Sequence, residues 1–288
     1  MRYVRATAED QARIEEFLSQ FVDDQLQDHV SDYLSCEGGG LYLAFDDSEQ
    51  LAGVLVVAMM KSHEAYLESA RLRPDVQERG EEMADFQVQE ARRLGAQVAR
   101  VLVGRRNDAA QKIFQEKLGF HVVSEWVVGT LENFPAPEYP DAVAGPAWAV
   151  DRERIQSFAN QHPEELWAKS GPWQVASLTF DEVWHGVELG GAAVAPQNAA
   201  EPVDTLALFH IQNERMHLRY LRSMGKHLKV LLQYLWVESR AWGVKTLEFG
   251  LPRNAADKLL EASGLSFEKE WHGVVLEKHL GLTSSMPA

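Results

Sequence analysis

The sequence predicts an α/β protein with two similar domains in succession. Strands and helices alternate along residues 65–120, a proline-rich segment divides the chain, and short motifs of the first half return in the second. At 288 residues the chain is long enough for two ordinary domains, each with its own hydrophobic core.

The first elements follow from capping and turn residues. Thr7 and Asp10 have the spacing of a capping box, which predicts a helix that continues to about residue 21. Two apolar segments, residues 41–45 and 51–58, flank a short polar turn, and this arrangement predicts a β-hairpin.

The next stretch alternates between the periods of strands and helices. Residues 65–73 form a predicted strand that Pro74 ends. A helix is expected from Gly80 to a glycine cap at residue 95, because its apolar residues recur at helical spacing. Residues 98–104 predict another strand, and Asn107 opens a further helix.

Four short motifs recur in the same order, offset by about 145 to 148 residues, which indicates a duplication. The pairs are ARRLG at 91–95 with SRAWG at 239–243, Arg106-Asn107 with Arg253-Asn254, Gly119-Phe120 with Gly264-Leu265, and Glu125-Trp126 with Glu270-Trp271. We predict a first domain over residues 1–134, a proline-rich linker over 135–147 and a second, degenerate domain over 148–288.

Residues 65–126 resemble the core of the GNAT superfamily of N-acetyltransferases, and the duplication makes the whole chain resemble a tandem member. The resemblance implies two domains, each a mixed central sheet flanked by helices. In this superfamily the sheet splays open after the fourth strand. Acetyl-CoA lies in the opening, pairing with the free strand edge, and its pyrophosphate sits on the turn before the next helix.

The resemblance places two candidate phosphate-binding turns. The first turn, residues 77–82, reads QERGEE, and the second turn, residues 222–227, reads RSMGKH. The family pattern is Gln/Arg-x-x-Gly-x-Gly/Ala, so both turns lack the second small residue, which is Glu82 in the first. Motif match favours the first turn and positive charge favours the second. The alternative is a capped helix without a ligand for the first turn and a solvated basic helix face for the second. The implied cofactor-binding residues are Leu72, Arg73, Gln77, Arg79, Gly80, Arg222, Gly225 and Lys226.

The helix after the fifth strand also resembles the family pattern, Asn-x-x-Ala-x-x-Leu-Tyr-x-x-x-Gly-Phe. Asn107 and the pair Gly119-Phe120 match it, while Phe114 stands in the place of the tyrosine. The resemblance puts Asn107 and Phe114 beside the cofactor. Because phenylalanine has no ionisable proton, we expect no general acid at this position.

Acyl transfer to an amine needs a base that removes the ammonium proton. Glu68, on the predicted strand at the splay, is the candidate base. The alternative is a strand carboxylate that pairs with Arg71 or Arg73.

Composition limits the partners. A net charge of −15 argues against nucleic acid, and no apolar run is long enough to span a membrane. A single cysteine fits a reducing cytoplasm, and the histidines lack metal-ligand spacing, so no metal is expected.

The expected function is transfer of acetyl from acetyl-CoA to a small-molecule amine. The alternative is a non-catalytic protein that binds acyl-CoA or a metabolite. The oligomeric state stays open, a homodimer being one alternative.

Overall fold

The computed structural model describes residues 1–21, 25–36, 38–132, 143–161, 167–169, 175–264 and 269–281. These residues form two compact units. The first unit contains residues 1–123 together with the described C-terminal residues from 274 onward. The second unit contains the described residues between 124 and 273.

The first unit is a mixed sheet with helices on both faces. Its elements are β1 (Arg2–Arg5), α1 (Gln11–Leu18), α2 (Val30–Leu34), β2 (Gly39–Phe45), β3 (Leu51–Lys61), β4 (Glu64–Leu72), α3 (Gly80–Arg93), β5 (Val98–Gly104) and α4 (Asp108–Lys112). The strand order is β1-β2-β3-β4-β5, and the sheet is antiparallel except between β4 and β5.

The second unit repeats this plan. Its elements begin with β6 (His121–Glu132), β7 (Gly145–Pro146), α5 (Arg152–Gln161), β8 (Trp167–Lys169), β9 (Val175–Ser177), α6 (Phe180–Glu188) and β10 (Ala192–Ala195). They continue with β11 (Thr205–Gln212), β12 (Arg215–Ser223), α7 (Leu228–Ala241), β13 (Thr246–Pro252) and α8 (Arg253–Ser263), followed by β14 (Lys269–His279), which divides between the two units after residue 273. The order β6-β13-β12-β11-β10-β7 contains one parallel pair, β12 with β13.

Side-chain alternation divides the first unit into two cores. On β3, Leu55 and Val57 pack in the cluster that includes α3, while Val54 and Val56 pack in the cluster that includes α1 and α2. Successive strand residues point to opposite faces, so a strand covered by helices on both faces is apolar at nearly every position. This explains why β3 reads as a continuous apolar run.

The predicted α/β fold class, with mixed sheet flanked by helices, is confirmed. The predicted hairpin is β2 with β3, and the helix that begins at Gly80 is α3. The first long helix ends at Leu18, about a turn earlier than predicted.

Residues 133–142, which include most of the predicted linker, lie outside the described residues. The domain boundaries at 134 and 148 stay predictions, and the compact units divide differently. The part of β6 from residue 124 onward belongs to the second unit, and residues 274–279 of β14 belong to the first. Each unit therefore includes a strand from the other half of the sequence, as in domain swapping.

Candidate functional site

In the first unit, the parallel strands β4 and β5 separate after three residue pairs. Residues 64–66 pair with residues 98–100. Past Tyr66, β4 continues to Leu72 and β5 to Gly104, and among the described residues no further pairing joins them. The strands therefore leave a wedge-shaped gap, which we call the β4–β5 gap. An unpaired strand edge of this kind can hydrogen-bond to an extended ligand.

A buried ion-pair cluster fixes the closed end of this gap. The Arg100 guanidinium on β5 donates from Nη1 to Glu64 Oε2 on β4 at 2.5 Å and from Nε to Glu277 Oε2 on β14 at 2.8 Å. All three side chains are buried. One guanidinium binds carboxylates from two other strands at the paired end, so the separation of β4 and β5 is confined to the opposite end.

A β-bulge shapes β4 where it borders the gap. Val56 pairs with Glu68, whereas Val54 pairs with Arg71, so β4 has one residue more than β3 in this interval. The buried amide of Gln87, on α3, donates from Nε2 to the carbonyls of Val56 at 2.9 Å and Glu68 at 3.1 Å. Gln87 therefore satisfies backbone carbonyls beside the bulge and holds it in place.

The first turn leads from β4 into α3, and Gly80 is the first residue of that helix. A Cβ atom at Gly80 would lie 3.4 Å from Ile113 Cδ1 and 3.9 Å from Leu72 Cδ1, which are ordinary contact distances. Its φ of −59° suits any residue. The N–H groups of the first helical turn have no intrahelical acceptors and lie at the positive end of the helix dipole. The corner is thus suited to an anion.

Glu82, the acidic departure from the phosphate pattern, is paired with two cations. Its carboxylate accepts hydrogen bonds from the Met1 ammonium and, at 2.8 Å, from Arg79, which also lies 3.6 Å from Asp47. Burial acts to raise the pKa of Glu82, but the hydrogen bonds from Met1 and Arg79 outweigh it and hold the pKa below its usual range. The ionised carboxylate is therefore largely neutralised at the turn.

Arg73 and Gln77 lie beside the same turn. The Arg73 guanidinium donates to Asp46 at 2.8 Å, to Asp75 at 2.6 Å and to the carbonyl of Leu51 at 3.2 Å. Arg73 thus ties the end of β4 to the β2–β3 hairpin. Gln77 is exposed on the short 3-10 segment that precedes α3.

Glu68 lies two residues beyond the last β4–β5 pair, at the beginning of the gap. Its side chain is buried, and Oε2 accepts a hydrogen bond of 2.6 Å from the phenol of Tyr33 on α2. Arg73, one of the alternative partners of Glu68, instead binds Asp46 and Asp75. The gap is therefore bordered by a carboxylate with a defined hydrogen-bond donor.

Residues 9–120, which include this site, match the family model described as the acetyltransferase (GNAT) family. These residues form a GNAT domain. The matched region contains β4, β5, the first turn and Glu68, and the family match indicates acyl transfer from an acyl-CoA as the class of chemistry.

Solved structures show the same fold over almost the whole chain. A GCN5-related N-acetyltransferase from Sphaerobacter thermophilus is 14% identical, with 97% of this chain and 95% of that one covered and a TM-score of 0.67. A tandem GNAT protein from the clavulanic acid biosynthesis pathway is 13% identical, with coverages of 97% and 98% and a TM-score of 0.56. An acetyltransferase of the GNAT family from Colwellia psychrerythraea is 13% identical, with coverages of 96% and 98% and a TM-score of 0.51. Among curated proteins, no sequence match was found. At these identities the structural likenesses establish the fold alone, which this chain shares with those proteins.

The second unit has the same strand separation as the GNAT domain but a filled turn. Strands β12 and β13 pair over residues 215–218 and 246–249 and then separate. At Gly225, a Cβ atom would lie only 2.0 Å from Oδ2 of Asp204, so the Asp204 carboxylate occupies the space beside this glycine. That carboxylate is 2.7 Å from Nδ1 of His227 and accepts a 2.8 Å hydrogen bond from Thr205. An anion approaching Gly225 would meet a fixed negative charge.

The cationic residues of the second turn lie in different surroundings. Arg222 is buried, with its guanidinium 4.7 Å from the ring centre of Phe158, and it donates to the Phe158 carbonyl at 3.3 Å. Lys226 is exposed. Lys258, from α8, donates to the carbonyl of Ser223 at 3.0 Å. The second turn is thus held by contacts within the protein. At Gly80 of the first turn, no carboxylate takes the place that Asp204 has beside Gly225.

Asn107 and Phe114 of the GNAT domain have structural contacts. Asn107 caps α4, because its Oδ1 accepts from the N–H of Ala110 at 3.1 Å. Phe114 is buried, and its ring packs edge-on against Phe120 with centroids 5.1 Å apart. The hydrocarbon side of the first turn is instead formed by Leu72 and Ile113, which face Gly80.

Three residues important for the site were not singled out by sequence reasoning: Tyr33, Gln87 and Asp204. Tyr33 and Glu68 are separated by 35 positions, and Asp204 and Gly225 belong to different elements. No local motif joins these partners. Gln87 could have been noticed as a polar residue on the apolar face of α3.

Within the described ranges, no group of three or more His, Cys, Asp or Glu side chains is arranged to hold a metal ion. None of the described helices is both long enough and apolar enough to cross a membrane.

Proposed function

We propose that the GNAT domain transfers an acetyl group from acetyl-CoA to the amino group of a small-molecule acceptor. The observation that carries the proposal is the β4–β5 gap together with the Gly80 corner, where a Cβ atom would meet only Ile113 and Leu72 at ordinary contact distances. The same proposal includes a cytoplasmic location, which the single cysteine suggests. It also includes a small molecule as the partner, and not nucleic acid or a membrane.

The residues at the gap fit a CoA molecule. The edge of β4 offers backbone groups for the pantetheine arm, in the manner of an added strand. The first turn of α3 offers amides for the diphosphate, with Gln77 exposed beside them. Glu82 does not prevent this, since Met1 and Arg79 already neutralise its carboxylate. Leu72 forms the apolar wall.

Glu68 is proposed as the base. An amine is mostly protonated at neutral pH, so the Glu68 carboxylate takes one proton from the ammonium group, directly or through a water molecule. The neutral nitrogen forms the new C–N bond as the C–S bond of the thioester breaks. The leaving thiolate takes the second nitrogen proton, and Glu68 releases its proton to solvent. A thiolate needs little acid assistance to leave, which makes Phe114 compatible with catalysis.

Calorimetric titration of CoA tests the binding half of this proposal. We expect one CoA per chain for the wild type and at least about tenfold weaker binding for Gly80→Ala, whose new methyl group intrudes on the phosphate position. The matched control is Gly186→Ala on α6 of the second unit, where a Cβ atom would meet only the Leu208 side chain, at 3.3 Å from Cδ2 and 3.9 Å from Cδ1. The proposal is wrong if the wild type gives no heat at millimolar CoA, or if Gly80→Ala binds as tightly as the control.

A specific observation favours a second candidate, a non-catalytic protein that binds acyl-CoA. Phe114 packs into the core in the place of the family tyrosine, so this helix supplies no proton donor. Thiol release from acetyl-CoA in the presence of a panel of primary amines separates the two functions. Tight CoA binding without amine-dependent thiol release would favour the non-catalytic function.

A further inference from the structure

Tyr33 contributes a polar group where the surrounding core needs none. Tyr33 belongs to a hydrophobic core cluster that includes Ile14, Leu41, Val54 and Val56. A phenylalanine would fill the same space, so the hydroxyl has a separate reason to be there. That reason is Glu68, whose Oε2 lies 2.6 Å from the Tyr33 oxygen.

The contact has the properties of a strong hydrogen bond. Tyr33 and Glu68 are 8% and 7% exposed, so little solvent competes for the carboxylate. Hydrogen bonds to an ionised acceptor are shorter and stronger than neutral ones, and a buried charge without a donor is costly. The short helix α2 thus places a donor on a carboxylate of β4, at the beginning of the β4–β5 gap.

We propose that Tyr33 is a positioning residue for the base: its phenol fixes the Glu68 carboxylate at the β4–β5 gap and keeps it ionised, ready to take the acceptor's proton. The catalytic role of the Tyr33–Glu68 pair rests on the proposed function. Tyr33 from α2 contacts the Glu68 carboxylate directly, and Val54 and Val56 from β3 belong to the same core cluster as Tyr33. Gln87, on α3, donates to the backbone carbonyls of Glu68 and Val56.

The same unit offers a matched pair outside the gap. Tyr42 donates to Glu90 Oε1 at 2.5 Å, and these side chains are 4% and 7% exposed. They belong to the opposite core, which α3 covers. Burial, and then the hydrogen bond to Glu90, raise the pKa of Tyr42 to about 12, so this phenol also remains a donor. Both pairs join a buried phenol to a buried carboxylate, although Glu90 also accepts hydrogen bonds from Arg93, and only Tyr33 contacts the proposed base.

The test is a carbon-13 NMR titration of the glutamate carboxyl groups. The Glu68 signal is assigned by its absence in Glu68→Gln. In Tyr33→Phe we expect its titration midpoint to move to higher pH by about one to two units, because the ionised form loses a donor. In the control Tyr42→Phe, which removes an equivalent hydroxyl, we expect the Glu68 midpoint to stay at its wild-type value.

The outcomes separate this inference from the proposed function. An unchanged Glu68 midpoint in Tyr33→Phe overturns the inference, even if the wild type binds CoA and transfers acetyl groups. An equal shift in Tyr42→Phe overturns it too, since the effect would then be general loosening of the unit. A shift confined to Tyr33→Phe supports it. If that shift appears in a protein that binds no CoA, the proposed function fails while the coupling between Tyr33 and Glu68 stands.

Discussion

Alanine substitutions at the two turn glycines are expected to have opposite effects on stability. At Gly80, a Cβ atom meets Ile113 at 3.4 Å, and φ is −59°, so alanine fits without strain. Gly80→Ala should therefore stabilise the protein by about 0.5 kcal/mol, because alanine lowers the conformational entropy of the unfolded chain.

At Gly225 the same methyl group would overlap the Asp204 carboxylate, with separations of 2.0 Å from Oδ2 and 2.5 Å from Cγ. Asp204 must then move, which breaks its contact with His227 at 2.7 Å and with Thr205 at 2.8 Å. A partly buried hydrogen bond contributes about 1 kcal/mol, so two lost bonds give an expected destabilisation of about 2 kcal/mol for Gly225→Ala.

A double-mutant cycle with Asp204→Ala checks the cause. Asp204→Ala should itself cost about 2 kcal/mol, since it removes the same two bonds, and adding Gly225→Ala should then cost almost nothing. The assay is urea unfolding at constant m-value, which gives the free energy of unfolding of each variant. Additive effects of the two substitutions would refute the reasoning, as would a neutral Gly225→Ala single variant.

Two further predictions concern buried charges in the first unit. Hydrogen bonds from Arg93, followed by one from Tyr42, lower the pKa of Glu90, so its stabilising contribution is complete above about pH 5 and disappears as the pH falls through the lowered value. Glu90→Gln should therefore be less stable than the wild type by about 1 to 3 kcal/mol at neutral pH, with the difference shrinking in acid; a difference that is constant down to pH 3 in urea unfolding would contradict this. Arg100→Met should cost about 3 to 5 kcal/mol in the same assay, because the carboxylates of Glu64 and Glu277 lose their shared guanidinium. A loss below about 1 kcal/mol would show that the cluster does not hold the paired end of β4 and β5.

The elements that could be predicted from the sequence are those with strong local signals. The limits of α3 follow from helical periodicity between two glycines, and Asn107 is a helix cap that the structure confirms. The exchange of β6 and β14 between the units had no such signal. Both strands follow equivalent helices and both contain a Glu-Trp pair, so their sequences fit either position equally well.

The site was less predictable, because its geometry depends on contacts between distant residues. Glu68 could be selected as the residue at the splay, but its donor Tyr33 lies on a five-residue helix with little pattern of its own. The β-bulge at Glu68 is equally hidden, since an extra residue in one strand is visible only against its partner β3.

The two turns share the sequence Gln/Arg-x-x-Gly, yet only one of their glycines is required by the fold. Gly225 has to be glycine because the Asp204 carboxylate fills the space a side chain would take. Gly80 has no such neighbour, and neither its backbone angles nor its contacts exclude a methyl group. A glycine in the interior or first turn of a helix lowers stability relative to alanine, so its use at residue 80 calls for a compensating benefit. Close approach of a ligand to the backbone is such a benefit. We therefore propose that the first turn, rather than the more basic second one, receives the diphosphate.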